Sequence, residues 1–338
     1  MATNAPASQP DPAAIFQAMN AFQLSFALKG AVDLDLFTHI DEGAQTAADL
    51  ATRTQSSEKG IRILCDFLTI TGFLNKEQTN YTLPPHSAAF LSKRSPAYMG
   101  SAIYFLTHDF QLDHFRDIAG VVRKGGTLQG QGSMEPENPI WVEFARNMGP
   151  ISAVGAGPVA AIVAGEGSPL KVLDVAAGSG FYGIEIAKLN PLAQIYGLDW
   201  KNVLELSVQH AREAGVADRY HTIPGSAFDV DPGSGYDLVL LPNFLHHFDH
   251  ATNVTLLRKL RAAMKPKSRL ATVEFVPNED RVTPPAAASF SLIMLTNTEG
   301  GDAYTFAELD RMFRAAGFGS SSAHSIAPSP ETLVLTEY

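Results

Sequence analysis

The 338-residue chain has a single cysteine, Cys65, so no disulfide can form within it and the fold must rest on burial. Cys65 sits in IRILCDFL, an apolar helical pattern, where a thiol packs as small filler rather than as a nucleophile. Positive charge is scarce too. Lys and Arg number 25 against 35 Asp and Glu, a net charge of −10. Such a chain repels phosphate backbones, which argues against nucleic acid as its main partner. Long apolar runs are missing: none approaches the roughly 20 residues that cross a bilayer. The opening MATNAPASQPDPAA has neither the basic stretch nor the apolar core of a secretory signal. The expectations are a reducing cytoplasm, no membrane, and a disordered tail over residues 1–11. What is present is ordinary globular material, 45% hydrophobic and 18% charged. The length implies two domains, or one with a substantial appendage.

Residues 12–100 read as a helical domain. Ile15, Met19, Phe22 and Phe26 recur at spacings of four and three, an amphipathic stripe. TAADLATR opens on Thr46 with Asp49 three residues on, a capping pattern. Another helix starts near Ser56 or Ser57 and runs to Gly72, and FLNKEQTNYTLPP offers two short strand pieces around a polar turn. Helices followed by a hairpin make a winged-helix pattern, which raises DNA binding. Its charge argues otherwise: residues 1–100 hold seven Lys and Arg against nine Asp and Glu, and a DNA reader needs a basic face. Dimerisation, or covering of a substrate, suits it better. Residues 101–150 form a helical connector, and large side chains such as Phe144 and Met148 make it a candidate substrate-pocket wall. From 151 to 338 the rhythm becomes strand, helix, strand, the alternation of a doubly wound α/β sheet. The chain closes on a helix and a hairpin around PSP.

LDVAAGSGFYG carries Gly178, Gly180 and Gly183 between a strand and a helix. Sixteen residues after Gly183, Asp199 ends the strand-like QIYGLD, where a carboxylate can accept both ribose hydroxyls of an adenosine. NAD and S-adenosylmethionine fit equally to this point. Asp174 separates them. A carboxylate beside the turn repels a pyrophosphate, whereas a sulfonium amino acid has no phosphate and brings an ammonium. Asp174 can also simply accept backbone N–H groups of the turn.

With these residues in view, VLDVAAGSG resembles the first motif of class I S-adenosylmethionine-dependent methyltransferases. GLDW resembles their ribose-binding loop, GSAFD their adenine loop, and YDLVLLPNFLHHF their fourth strand and following turn. The N-terminal part resembles the dimerisation domain of the small-molecule O-methyltransferases. The resemblance implies a seven-stranded Rossmann-like α/β sheet with an antiparallel last strand, and a mainly α winged-helix domain before it. It implies a homodimer, S-adenosyl-L-methionine as cofactor with S-adenosyl-L-homocysteine (SAH) as product, and no metal. Cofactor contacts are expected from Asp174, Gly178, Gly180, Asp199, Trp200, Ser226, Ala227, Phe228 and Asn243. Substrate contacts are expected from Phe144, Met148 and Asn297.

The LH pair of NFLHHFDH makes His246 the match to the family's base histidine. On that reading His247 points elsewhere and His250 lies at the surface. The family often has glycine at Ala176 and an acidic residue at Ser226. It also has a carboxylate that orients the base where this chain has Ala303. Glu274, Glu299 and Asp302 are the candidate replacements. The acceptor atom stays open among oxygen, nitrogen and carbon. A non-methylating enzyme on the same fold and a winged-helix metabolite sensor are the alternatives.

Overall fold

A computed structural model describes residues 11–129, 137–165 and 167–338. Nearly all of the tail expected over residues 1–11 lies outside them, as does part of the glycine-rich RKGGTLQGQG. The chain divides into two compact units, residues 1–107 and 108–338.

In the first unit, Thr46 caps the helix Ala47–Arg53 by accepting the Asp49 N–H, and Ser57 caps Glu58–Ile70 by accepting the Gly60 N–H. Strands β1 (Asn75–Glu77) and β2 (Asn80–Thr82) then pair antiparallel, as the polar turn predicts. Leu36, Phe37, Leu50, Ile61, Cys65 and Leu68 fill the core of this unit at 1% exposure or less. Burial pushes the Cys65 thiol up to about 12, so it holds no thiolate at neutral pH. The N-terminal stripe behaves differently. The helix breaks at Asn20 into Ala13–Met19 and Ala21–Asp33, and Ile15, Phe16, Met19, Phe22 and Phe26 are all exposed.

The second unit is built on β3 (Leu170–Val175), β4 (Ala193–Asp199), β5 (Tyr220–Pro224), β6 (Tyr236–Pro242), β7 (Met264–Glu274), β8 (Ser321–Ser325) and β9 (Thr332–Glu337). Their order is β5-β4-β3-β6-β7-β9-β8. Strands β3 to β7 are parallel, while β9 runs antiparallel to both β7 and β8. A parallel sheet covered on both faces needs near-continuous apolar strands, which is why LKVLDV and YDLVLLP are central. Successive strands are laid outward on one side of β3 and then, from β6, on the other, so a crevice opens at this switch beyond their carboxyl ends.

One helix, Ile140–Val163, crosses residue 150, where the sequence reading divides connector from catalytic domain. Gly149 and Pro150 look like a break, yet Pro150 and Pro158 both lie inside the helix. Each proline forgoes one intrahelical bond. Ala156, Val159, Ala160 and Val163, fully buried in the core, hold the helix regardless. Beneath it, Gly183 permits a close crossing: a Cβ there would stand 2.6 Å from Ile195 Cγ2 and 2.9 Å from Asp174 Oδ2.

Candidate active site

A cavity of about 430 Å³ lies beyond β3, β4 and β6, within the range of small-molecule sites. Its floor is the turn after β3, where Ala176, Gly178 and Gly180 all take left-handed φ, 53°, 55° and 79°. Ala176 carries a Cβ in that conformation at a modest cost, so the departure from glycine is strained but borne. Asp199 closes β4. Its Oδ2 accepts the Gly178 N–H at 2.8 Å and its Oδ1 the Trp200 N–H at 2.7 Å. Burial pushes its carboxyl up to about 6 in spite of these two donors. A carboxylate has about four acceptor sites, so capacity for two hydroxyls remains. Trp200, Ser226, Ala227 and Phe228 line the same region. Ser226 Oγ accepts the Phe228 N–H at 3.1 Å, which fixes the turn rather than offering a charge.

Asp174 does not line this cavity. It is completely buried under the turn, where Oδ2 accepts the Gly183 N–H at 3.2 Å. Burial, opposed by that N–H and reinforced by the charge of Asp199, pushes its carboxyl up to about 8. The group is therefore chiefly neutral at pH 7 and braces the turn from below. Of the two readings given for it, accepting a backbone N–H of the turn is the one the geometry shows.

His246, the candidate base, is not itself among the residues lining the cavity. His246 is 5% exposed, Glu274 3%, and Nδ1 of His246 lies 2.5 Å from Oε2 of Glu274. The other oxygen of Glu274 accepts the N–H groups of Phe244 at 3.1 Å and Leu245 at 2.8 Å. One carboxyl at the end of β7 thus shapes the turn after β6 and orients the imidazole. With Nδ1 donating to a carboxylate, the lone pair is left on Nε2. The rival carboxylates are engaged elsewhere, Glu299 with Lys124 and Asp302 with Arg281, both at 3.1 Å. Ala303 is buried. Its segment approaches so closely that a Cβ on Gly301 would stand 2.1 Å from the His246 carbonyl oxygen.

Around the histidines the walls are aromatic. Phe290 lies edge-on to His246 at 4.8 Å between ring centroids and stacks on Phe275 at 4.2 Å. Trp141, Phe144, Phe244 and Phe248 line the cavity. His247 also lines it, contrary to the expectation that it points away. Its ring meets those of His246 and Trp141 at 4.4 and 5.5 Å, and burial lowers its pKa well below the usual value, so it is neutral. His250 is exposed as expected. Met148 and Asn297 are not brought to the cavity lining. Asn297 is instead paired to His114, Oδ1 to Nδ1 at 2.6 Å. Asn243 does line it, joined to Glu331, a residue with no signal in the local sequence because it lies 88 positions away. Among the described residues no group of three or more His, Cys, Asp or Glu is placed to hold a metal ion, and no helix is long and apolar enough to cross a membrane.

Residues 142–319 match the family model for the O-methyltransferase domain, and residues 16–93 the O-methyltransferase dimerisation domain. A crystal structure of a provisional O-methyltransferase from Nostoc punctiforme is 47% identical over 98% of this chain and all of that one, with a TM-score of 0.94. PigF with SAH superposes with a TM-score of 0.82 at 25% identity, over 97% of this chain and 100% of that one. The 3-hydroxy-5-methyl-1-naphthoate 3-O-methyltransferase of Streptomyces sahachiroi is 25% identical over 86% of this chain and 84% of its own length.

Proposed function

Since this chain belongs to the O-methyltransferase family, whose methyl donor is S-adenosyl-L-methionine, we propose that it methylates a hydroxyl of a small aromatic or polyketide-like metabolite with His246 as general base. The contact of 2.5 Å between His246 Nδ1 and Glu274 Oε2 carries this reading.

The cavity residues fit the donor. Asp199 has acceptor capacity for a ribose, Trp200 and Phe228 offer apolar faces to an adenine, and among the described residues no Lys or Arg lines the cavity to oppose a cation. When bound, S-adenosyl-L-methionine supplies a methyl group on a positive sulfur, which also favours a neighbouring phenolate. The chain has to align the acceptor and take its proton. A phenol at pKa about 10 is more than three units above a histidine at about 6.5, roughly 5 kcal/mol uphill in water, so the base must be positioned. Glu274 does this by fixing the tautomer, as the buried carboxylate does in other base histidines. The aromatic walls exclude water and receive a flat acceptor, and holding the reactants in line is worth roughly 7–11 kcal/mol. The naphthoate specificity of the Streptomyces relative supports an aromatic acceptor. The single buried cysteine suits a reducing cytoplasm.

Calorimetry with SAH, followed by a screen of phenols with labelled donor, tests this function. Binding with label transferred to phenolic oxygen is expected. No heat at millimolar SAH would sink it, and label found only on nitrogen or carbon would move the acceptor atom. The exposed stripe of Ile15, Met19, Phe22 and Phe26, within the segment matching the dimerisation domain, supports a homodimer. Light scattering is expected to give twice the chain mass for the wild type, and a monomer for the Phe22→Glu, Phe26→Glu double variant. A wild-type monomer rules the homodimer out.

A further inference from the structure

Behind the cavity lies a buried carboxyl for which the proposed reaction has no use. Glu331, 9% exposed, stands just before β9. Its Oε1 accepts from Asn243 Nδ2 at 2.7 Å. Its Oε2 accepts from the hydroxyls of Ser329 at 2.9 Å and Tyr182 at 3.4 Å. All three donors are neutral. Burial holds the carboxyl above its usual range, with the Asn243 and Ser329 donors opposing. A carboxylate kept from water with only neutral donors is costly, and a nearby cation offsets that cost.

Two of the three donors, Asn243 and Tyr182, line the cavity. Asn243 is at the end of β6 in the left-handed region, φ 53°, pinned by its own N–H to the Val273 carbonyl at 2.7 Å. With its NH₂ turned to Glu331, the side-chain oxygen is directed away, and Oδ1 is buried without a partner. Among the described residues no Lys or Arg lines the cavity. The charge of Glu274 acts on Glu331, and those of Glu331 and Glu274 on Tyr182. This end of the cavity is rich in acceptors and has no cation of its own. Asp174, the residue expected to meet the donor's ammonium, is sealed beneath the turn.

Resting on the reading of this cavity as the S-adenosylmethionine site, we propose that Glu331 is a positioning residue: it holds the Asn243 amide so that Oδ1, backed by the Glu331 charge, receives the α-ammonium of the donor's amino-acid end. Hydrogen bonds from an ionised donor are roughly twice as strong as neutral ones. The methyl group plays no part in this contact, so SAH reports it as well as the donor does.

The test uses the full chain at pH 7 and three ligands: SAH, its analogue with hydrogen in place of the α-ammonium, and 5′-methylthioadenosine, which lacks the amino-acid end. Wild-type protein is expected to prefer SAH over the deaminated analogue by at least about tenfold. Asn243→Ala and Glu331→Ala are expected to reduce that preference to about threefold or less, with methylthioadenosine affinity unchanged. Glu331→Gln keeps an acceptor for the amide but not the charge, so an intermediate preference is expected. Because the preference is a ratio, it does not depend on how much of a variant is folded. A wild-type ratio in both Glu331 variants overturns the proposal. Wild-type protein that binds none of the three ligands overturns the cofactor reading of the cavity instead.

Discussion

Glu274→Gln is expected to lower turnover by roughly 10²–10⁴, the range associated with a positioned base, while affinity for SAH stays within about twofold. The amide keeps an oxygen for the Phe244 and Leu245 N–H groups, so the turn after β6 survives. It presents NH₂ to His246, however, so Nδ1 must accept, Nε2 carries the proton, and the imidazole has no lone pair for a phenol. His246→Ala is expected to cost a similar factor. The double variant is expected to be little worse than either single change, because residues acting as a unit do not add. Glu274→Ala is less informative. It strands the two N–H groups, each at about 1–3 kcal/mol when buried and unpaired, so loss of folding would mask loss of chemistry. Measured kcat for a phenol acceptor beside calorimetric SAH affinity separates binding from chemistry. Unaltered turnover in Glu274→Gln would leave proximity alone as the source of rate.

The second large effect is on binding. On the proposed reading Asp199→Ala removes the acceptor of two ribose hydroxyls, each a charge-assisted bond of about 1.5–3 kcal/mol, and so should weaken SAH binding by roughly 10²–10⁴. The same residue imposes a pH dependence. Its carboxyl sits at about 6 in the folded chain against an ordinary 3.8, so the folded state holds this proton more tightly than the unfolded one. From this group, stability of the free protein falls as pH rises from near 4 through 6. Affinity runs the other way, because only the carboxylate accepts both hydroxyls. It is expected to be flat above pH 7 and to fall, by up to about tenfold per pH unit, below 6. Opposed trends in melting temperature and SAH affinity over pH 5–7 are the signature. Asp199→Asn should flatten the affinity profile, and a profile unchanged in that variant would remove Asp199 as its source.

Much of this was legible in the sequence because the signals are local. Alternation of apolar strand and amphipathic helix draws the sheet, the glycine spacing draws the turn, and the carboxylate at the end of QIYGLD reaches the cavity lining. The proposed base, His246, came from a two-residue match, LH. Burial is what the sequence conceals. Asp174 argued for the correct donor on the premise of a charged group touching it, and the structure sets the residue below the turn, uncharged at neutral pH. His247 follows His246, and the sequence reading has it pointing elsewhere. The two rings instead sit on a single 3-10 turn, Leu245–His247, where neighbours need not oppose. Asn297 and His114 are 183 positions apart, Asn243 and Glu331 are 88. No local pattern announces such pairs, since only closure of the sheet brings them together.

The helix Ile140–Val163 spans about 36 Å at 1.5 Å per residue, and its two ends have different occupations. Its far turns are locked among fully buried alanines and valines, while Trp141, Phe144, Ala145 and Gly149 before Pro150, and Ser152 just past it, form cavity wall. Pro150 lies between the two, where the carbonyl four residues earlier has no N–H to receive, yet the helix runs through it without interruption. One wall of the cavity is thereby carried by a regular element anchored in the core rather than by a loop.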